Sequence, residues 1–309
     1  MFLKNPRKKK GTAMLSNAIY GGIIGDMVGS IYEHTAGKLK DKVYDFPLWT
    51  GKARLPLFKR EEQRVGSKFT DDTVTGLAVA KALMELSDYS DDELVKETFA
   101  RNMRELCPKY EWTGYGSRFW IWLTAYKGNL NFEPYQSYGN GSAMRVFPIG
   151  LAFDTLEETR RMARLSAEIT HDHEEGIRGA EATASVMFLA RTGKSKDEIR
   201  QYIIDEFSDE FLYKLDKTCD EIRPKYHFDV TCQGTVPEAI QCFLEGNSFE
   251  ECVRLAVSLG GDADTIGCIT GAMASCLYPI PEKEVKQAKA RLTPELRAIA
   301  EKFNRWCER

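Results

Sequence analysis

Histidine is scarce in this chain, with 4 in 309 residues, and none of the 8 cysteines forms a CxxC pair. A zinc centre needs three or four nitrogen and sulfur ligands converging on one point. His171 and His173 have no cysteine or further histidine beside them, so zinc is not the expected ion. Nor is there an uncharged apolar run near the roughly 20 residues that a membrane-spanning helix requires. Charge of one sign is lacking too: 43 Lys+Arg face 46 Asp+Glu, a net charge of −3. That balance gives no global reason for binding nucleic acid or an anionic membrane. Alternating strand patterns, low-complexity linkers and a repeat of fixed period are missing as well, which leaves one helical domain as the economical reading.

The residues from Lys4 to Lys10 are strongly basic. A signal peptide would continue into an apolar stretch, but here Gly11-Thr12-Ala13 and an amphipathic helix carrying Asp26 follow. Residues 1–13 are therefore expected to be a solvated basic tail, with a nucleic-acid patch as the lesser alternative, and residues 14–309 the folded domain. Cys232, Cys242 and Cys252 recur at spacings that suit helix interiors, as reduced thiols of a cytoplasmic protein.

What the chain has in abundance is helical periodicity. Apolar residues recur at three- and four-residue spacing over 14–30, 72–86, 91–106, 117–125 and 143–152. The same holds over 156–169, 174–190, 196–207, 237–244, 249–259, 265–277 and 294–306. Two long irregular stretches, 35–68 and 129–140, are expected to be lids or pocket walls, because compact helical domains seldom carry such loops idly.

Two of these helices begin with the same chemistry. Thr70-Asp71-Asp72-Thr73 opens one, and Gly260-Gly261-Asp262-Ala263-Asp264-Thr265 opens another much later. Thr and Asp are ordinary N-cap residues, so each start alone reads as capping. A cap uses one oxygen, however, while each start offers two carboxylates and a threonine hydroxyl. Together they suit an oxygen-rich site for one or two Mg²⁺ or Mn²⁺ ions.

Three further features surround that pair. Ala18, Gly22, Gly25 and Gly29 form a small-residue stripe on the first helix, read as tight packing, and Glu33 follows where that helix gives way to the long loop. Ser137-Tyr138-Gly139-Asn140-Gly141 leads into a helix start, an arrangement that suits a phosphate and equally a plain tight turn. It is neither a Walker A loop nor a GxSxG elbow. In Thr170-His171-Asp172-His173, a histidine is expected to donate to a substrate or to cap a helix.

In this order GDMVGSIYE, FTDDT, SYGNGSAMR, LSAEITH and VSLGGDADTIG span most of the chain, which resembles the ADP-ribosylglycohydrolases. The family includes the dinitrogenase reductase-activating glycohydrolase and the animal ADP-ribosyl-serine and ADP-ribosyl-arginine hydrolases. The SYGNG loop and Glu33 after GSIY are most like the ADP-ribosyl-serine hydrolase branch, although Gln136 and Ser142 stand where that branch carries glycine.

The resemblance implies an all-α fold, a single orthogonal helical bundle, with two Mg²⁺, or Mn²⁺, held by Thr70, Asp71, Asp72, Asp262, Asp264 and Thr265. It implies Glu33 as the catalytic acid on a movable flap, with Asp71 and Asp264 sharing the proton work. Ser137, Tyr138, Gly139 and Asn140 would bind the diphosphate and ribose, Phe132 would stack near the adenine, and His171 would contact the distal ribose. The implied reaction is hydrolysis of the C1″ glycosidic bond of an ADP-ribosylated protein or a small ADP-ribose conjugate. O-linked conjugates such as ADP-ribosyl-serine are favoured over arginine, and a monomer is expected. A metal-dependent phosphohydrolase of a nucleotide and a non-catalytic ADP-ribose binder are the alternatives.

Overall fold

The computed structural model describes residues 16–33, 67–125, 133–210 and 212–308, and every regular element among them is helical. In chain order the α-helices are α1 (Tyr20–Gly29), α2 (Asp71–Glu85), α3 (Asp92–Leu106), α4 (Ser117–Thr124), α5 (Gly141–Met144), α6 (Phe147–Ala152), α7 (Leu156–Glu168) and α8 (Glu174–Arg191), with a 3-10 helix, Cys107–Thr113, between α3 and α4. There follow α9 (Lys196–Phe207), α10 (Cys219–Ile222), α11 (Cys232–Glu245), α12 (Phe249–Leu259), α13 (Ala263–Ser275), α14 (Glu282–Arg291) and α15 (Pro294–Cys307). The expected all-α class is what the structure shows. The basic tail, Phe132 and nearly all of the stretch after Thr35 lie outside the described residues. No helix among the described residues is long and apolar enough to cross a membrane.

The centre of the molecule is α1, whose ten residues are all buried. It runs antiparallel to α13 with almost nothing between the two backbones. A Cβ placed on Gly21, Gly25 or Gly29 would lie 2.4, 1.8 or 2.1 Å from the carbonyl oxygens of Gly271, Gly267 and Ala263. Gly267 and Gly271 answer in kind against the oxygens of Gly25 and Gly21, at 2.5 and 2.4 Å. The contact row is thus Gly21, Gly25 and Gly29, a shift from the expected stripe. Gly22 faces the Phe147 ring instead, where a Cβ would sit 3.1 Å away. The helix also begins at Tyr20 rather than Met14, because Asn17 takes a left-handed conformation (φ 69) that a helix cannot continue through.

Most of the surrounding helices start as their sequences suggest. Asp91, Thr155, Ser248 and Thr293 cap α3, α7, α12 and α15 with their side chains, and Ser195 and Thr218 form capping boxes with Glu198 and Glu221. Three departures have local causes. The stretch expected as one helix over 143–152 breaks into α5 and α6, since Pro148 occupies the first turn of α6 and cannot accept a helix running in from Met144. Helix α11 starts at Cys232 and carries Pro237 inside it, so the proline is no helix start. Helix α14 was not expected at all, because Glu-Lys-Glu-Val-Lys-Gln-Ala-Lys-Ala-Arg has too narrow an apolar stripe to register as periodic.

The close contact predicts an asymmetric response to alanine. Gly25→Ala pushes a methyl into a carbonyl oxygen and is expected to cost about 1–3 kcal/mol or more, lowering the Tm by several degrees. Gly116→Ala, where nothing lies within 4 Å of the new Cβ, should leave the Tm unchanged. Thermal unfolding followed by circular dichroism compares them.

Candidate active site

Asp26 sits in the middle of the buried face of α1, a carboxylate among isoleucines, glycines and Met27. Five hydrogen bonds account for it. The Thr70 amide donates to Oδ1 and Oδ2 at 3.2 and 3.0 Å, and the Thr70 hydroxyl donates to Oδ1 at 2.8 Å. The Thr73 amide donates to Oδ2 at 3.1 Å, joined by a short bond from the Thr73 hydroxyl. Asp26 therefore gathers the start of α2 onto α1. Its one sequence-level sign was a lone acid on an otherwise apolar helix.

Thr70 and Asp262 occupy the N-cap positions of α2 and α13, yet neither side chain makes the capping bond to its own helix. The plain capping explanation fails at both. Thr70 turns to Asp26 and to Asp72 Oδ2, 3.1 Å away, while Asn140 Nδ2 donates to Asp262 Oδ2 at 2.6 Å. Thr265 bridges the two starts, its hydroxyl 3.4 Å from Asp72 Oδ2 and its amide donating to Asp264 Oδ1 at 3.0 Å.

The carboxylates gather in two groups that share Asp264. One oxygen each from Asp26, Asp72 and Asp264 lies within 4.8 Å of the others, and so does one each from Glu33, Asp262 and Asp264. Asp71 lines the same cavity but belongs to neither group. Asp72 Oδ1 is a buried oxygen with no hydrogen bond among the described residues. Oxygen-only donors with such an orphan suit a hard divalent cation, and these clusters are able to hold one.

The acids raise one another's pKa. Burial pushes Asp26 up to about 6, and burial with repulsion from Asp26, Asp262 and Glu33 pushes Asp71 up to about 8. Asp72 and Asp264 rise well above the ordinary 3.8, through burial first and then through neighbouring carboxylates. Burial raises Asp262 as well, against the opposing bond from Asn140.

The walls of the cavity, of about 390 Å³, come from four other segments, around residues 114–119, 135–145, 171 and 228–230. Ser137, Gly139, Asn140 and Gly141 line one side, held to the segment before α11 by Asn140 N donating to Val230 O at 2.8 Å and Cys232 N donating to Tyr138 O at 2.9 Å. Tyr138 itself stands outside the lining, half-exposed, with its ring edge against His173 at 5.2 Å. Gln136 adopts φ 53, the conformation that favours glycine. Asp172 offsets that strain, accepting from the Gln136 amide at 2.7 Å and from its side chain. Ser142 fits because its hydroxyl donates to Gly176 O at 2.7 Å. The two histidines part ways: His173 Nδ1 caps α8 by accepting from Glu175 N, whereas His171 is buried in the cavity wall.

Comparison with known proteins gives the family. A model of the family described as ADP-ribosylglycohydrolase matches residues 13–308. The chain belongs to the ADP-ribosylglycohydrolases. This ADP-ribosylglycohydrolase is 28% identical over 313 residues to the ADP-ribosylhydrolase ARH3 of Homo sapiens, with 84% of this chain and 83% of that protein covered. It is 26% identical over 316 residues to the ADP-ribosylhydrolase ARH3 of Danio rerio, with 85% and 82% covered. A solved structure titled ADP-ribosylglycohydrolase-related protein complex superposes with a TM-score of 0.67 at 26% identity, covering 94% of this chain and 96% of that one. The protein is a glycosyl hydrolase of ADP-ribose conjugates.

Sequence reasoning placed Thr70, Asp72, Asp262, Asp264, Thr265 and Glu33, and the structure brings them together. It did not assign Asp26, nor Arg118, Tyr135, Arg145 and Phe228, which all line the cavity or support it. Arg118 lies over the Tyr135 ring at 4.8 Å and donates to its carbonyl, a pairing that links segments with no spacing pattern between them.

Two outcomes are expected of the ADP-ribosylglycohydrolase in solution. Asp26→Asn turns an amide donor toward the Thr70 and Thr73 donors, so divalent-cation affinity should fall about 10–100-fold in calorimetric titration. In the metal-free protein the folded state keeps protons that the unfolded chain loses near 3.8, up to about 8 for Asp71. Stability therefore falls as pH rises through that window, so the Tm should drop between about pH 5 and pH 8. Scanning calorimetry should show that a saturating divalent cation removes the drop.

Proposed function

We propose that this enzyme hydrolyses the C1″ glycosidic bond of O-linked ADP-ribose conjugates, with ADP-ribosyl-serine in proteins favoured over ADP-ribosyl-arginine, and that it uses two Mg²⁺ ions, replaceable by Mn²⁺. The observation that carries the reading is the pair of carboxylate groups joined at Asp264, with Asp72 Oδ1 left unbonded and Glu33 at the edge of a single cavity. Thr70, Asp71, Asp72, Asp262, Asp264 and Thr265 would hold the ions. When bound, they supply positive charge that orients vicinal ribose hydroxyls.

The chain's own groups do the rest. Glycoside cleavage builds oxocarbenium-like charge at C1″, and the carboxylates around the cavity offset it. Glu33 holds the 2″-hydroxyl or the attacking water and takes its proton, with Asp264 and Asp71 as the nearby carboxyls that share it. Asn140 fixes the direction of Asp262 while taking part in the loop that meets the ribose and diphosphate. Ser137, Tyr138 and Gly139 complete that loop, and Arg118 and Arg145 in the cavity wall offset the negative diphosphate. Phe132 stacks near the adenine, in a segment outside the described residues. The serine preference rests on the likeness of the SYGNG loop and Glu33 to the serine-hydrolase branch.

A panel of defined conjugates (serine-, arginine- and acetyl-linked ADP-ribose, and poly-ADP-ribose) incubated with Mg²⁺ and read by mass spectrometry tests the reading. Intact ADP-ribose should be released fastest from serine, and chelation, Asp72→Asn or Asp264→Asn should abolish it. Release of AMP or phosphate would establish a phosphohydrolase instead. Binding without any release would make the chain an ADP-ribose binder.

A further inference from the structure

Along the cavity wall runs a chain of three polar side chains from two segments. Arg145 is almost completely buried, and no carboxylate among the described residues forms an ion pair with it. Its Nη2 donates to the carbonyls of Ser166 and Ala167 and, at 2.9 Å, to Thr170 Oγ1. That hydroxyl lies 2.7 Å from His171 Nδ1. A guanidinium only donates, so Thr170 Oγ1 accepts from Arg145, and the hydroxyl hydrogen still needs an acceptor.

The acceptor within reach is His171 Nδ1. Were Nδ1 to carry the ring proton, it would donate to Thr170, and the hydroxyl hydrogen would be left unbonded at a fully buried residue. Nδ1 therefore bears a lone pair, and the proton of the neutral ring sits on Nε2. Nε2 faces the glycine loop: a Cβ on Gly141 or Gly139 would come within 3.2 or 3.5 Å of it. Those glycines leave the Nε2–H a path to the cavity.

We propose that Arg145 and Thr170 are positioning residues that lock His171 as the neutral Nε2–H tautomer, a fixed donor to an acceptor oxygen of the bound ADP-ribose. The substrate part of this proposal rests on the function proposed above. Burial first, then the charges of Arg145 and Arg118, hold the imidazole well below its ordinary pKa. A ring that keeps Nε2 protonated and does not titrate recognises oxygen lone pairs and takes no part in removing protons from water. That leaves the proton work to the carboxylates on the opposite wall.

The protein has 4 histidines, so the two-bond ¹H–¹⁵N spectrum of its ring nitrogens is simple to read, and His171→Gln identifies the signals concerned. Recorded without substrate, the spectrum judges the tautomer separately from the reaction. His171 should show the Nε2–H pattern and keep it at about pH 6.5, where an ordinary histidine is half protonated. Thr170→Val keeps the shape and removes the hydroxyl, and it should mix the tautomers and lower kcat/KM about 10–100-fold on an ADP-ribose conjugate, with divalent-cation affinity unchanged. Thr170→Ser should restore both the spectrum and most of the kcat/KM. An Nδ1–H ring in the unsubstituted protein, or a Thr170→Val variant with unaltered spectrum and kcat/KM, would overturn the relay.

Discussion

Where side-chain carbons of α1 would normally stand, the carbonyl oxygens of Gly267 and Gly271 stand instead. Side chains ordinarily keep helix axes about 8–10 Å apart, and a glycine row removes that spacer. Here the row brings the C-terminal end of α1 against the N-terminal end of α13. Glu33, just past one helix, and Asp262 and Asp264, at the start of the other, thereby share a few ångströms of space. Asp26, one turn back along α1, then pulls α2 in by its first residues. One backbone contact sets the positions of three acidic segments, and no surface loop is needed to do it.

So many carboxyls in one buried place is electrostatically expensive, and the fold softens the cost in two ways. The starts of α2 and α13 turn their positive dipole ends toward the cluster. Neutral donors are spread through it: the Thr70 and Thr73 hydroxyls, the Asn140 amide and the Thr265 backbone. What remains is partly relieved by holding protons, which is why the acids shift upward together. Asp72 Oδ1 marks the direction from which the described residues offer no partner.

The sequence made the helices legible because a 3.6-residue period over ten or more residues survives most tertiary context. It made the two acidic helix starts legible because the same unusual composition occurs twice. It could not separate the true glycine row from its neighbour, since Gly21, Gly22 and Gly25 satisfy helical spacing about equally well. The choice depends on the partner surface, Phe147 against Gly22 and Gly271 against Gly21. Arg145, Thr170 and His171 were legible only as residues in two separate motifs. Their connection runs through one hydroxyl oxygen, and no periodicity encodes that. The left-handed Gln136 is a further case: it looks like an unfavourable residue until Asp172, far along the chain, is seen clasping it.

The acidic centre draws on residues 26, 33, 70–72 and 262–265. Neither carboxylate group is complete without Asp264, which comes later in the sequence than every other acid of the two groups. A nascent polypeptide consequently completes neither group until α13 has been made and has docked along α1. Any ion these groups take up would then enter only after that docking, and a product cut short before α13 would lack both groups.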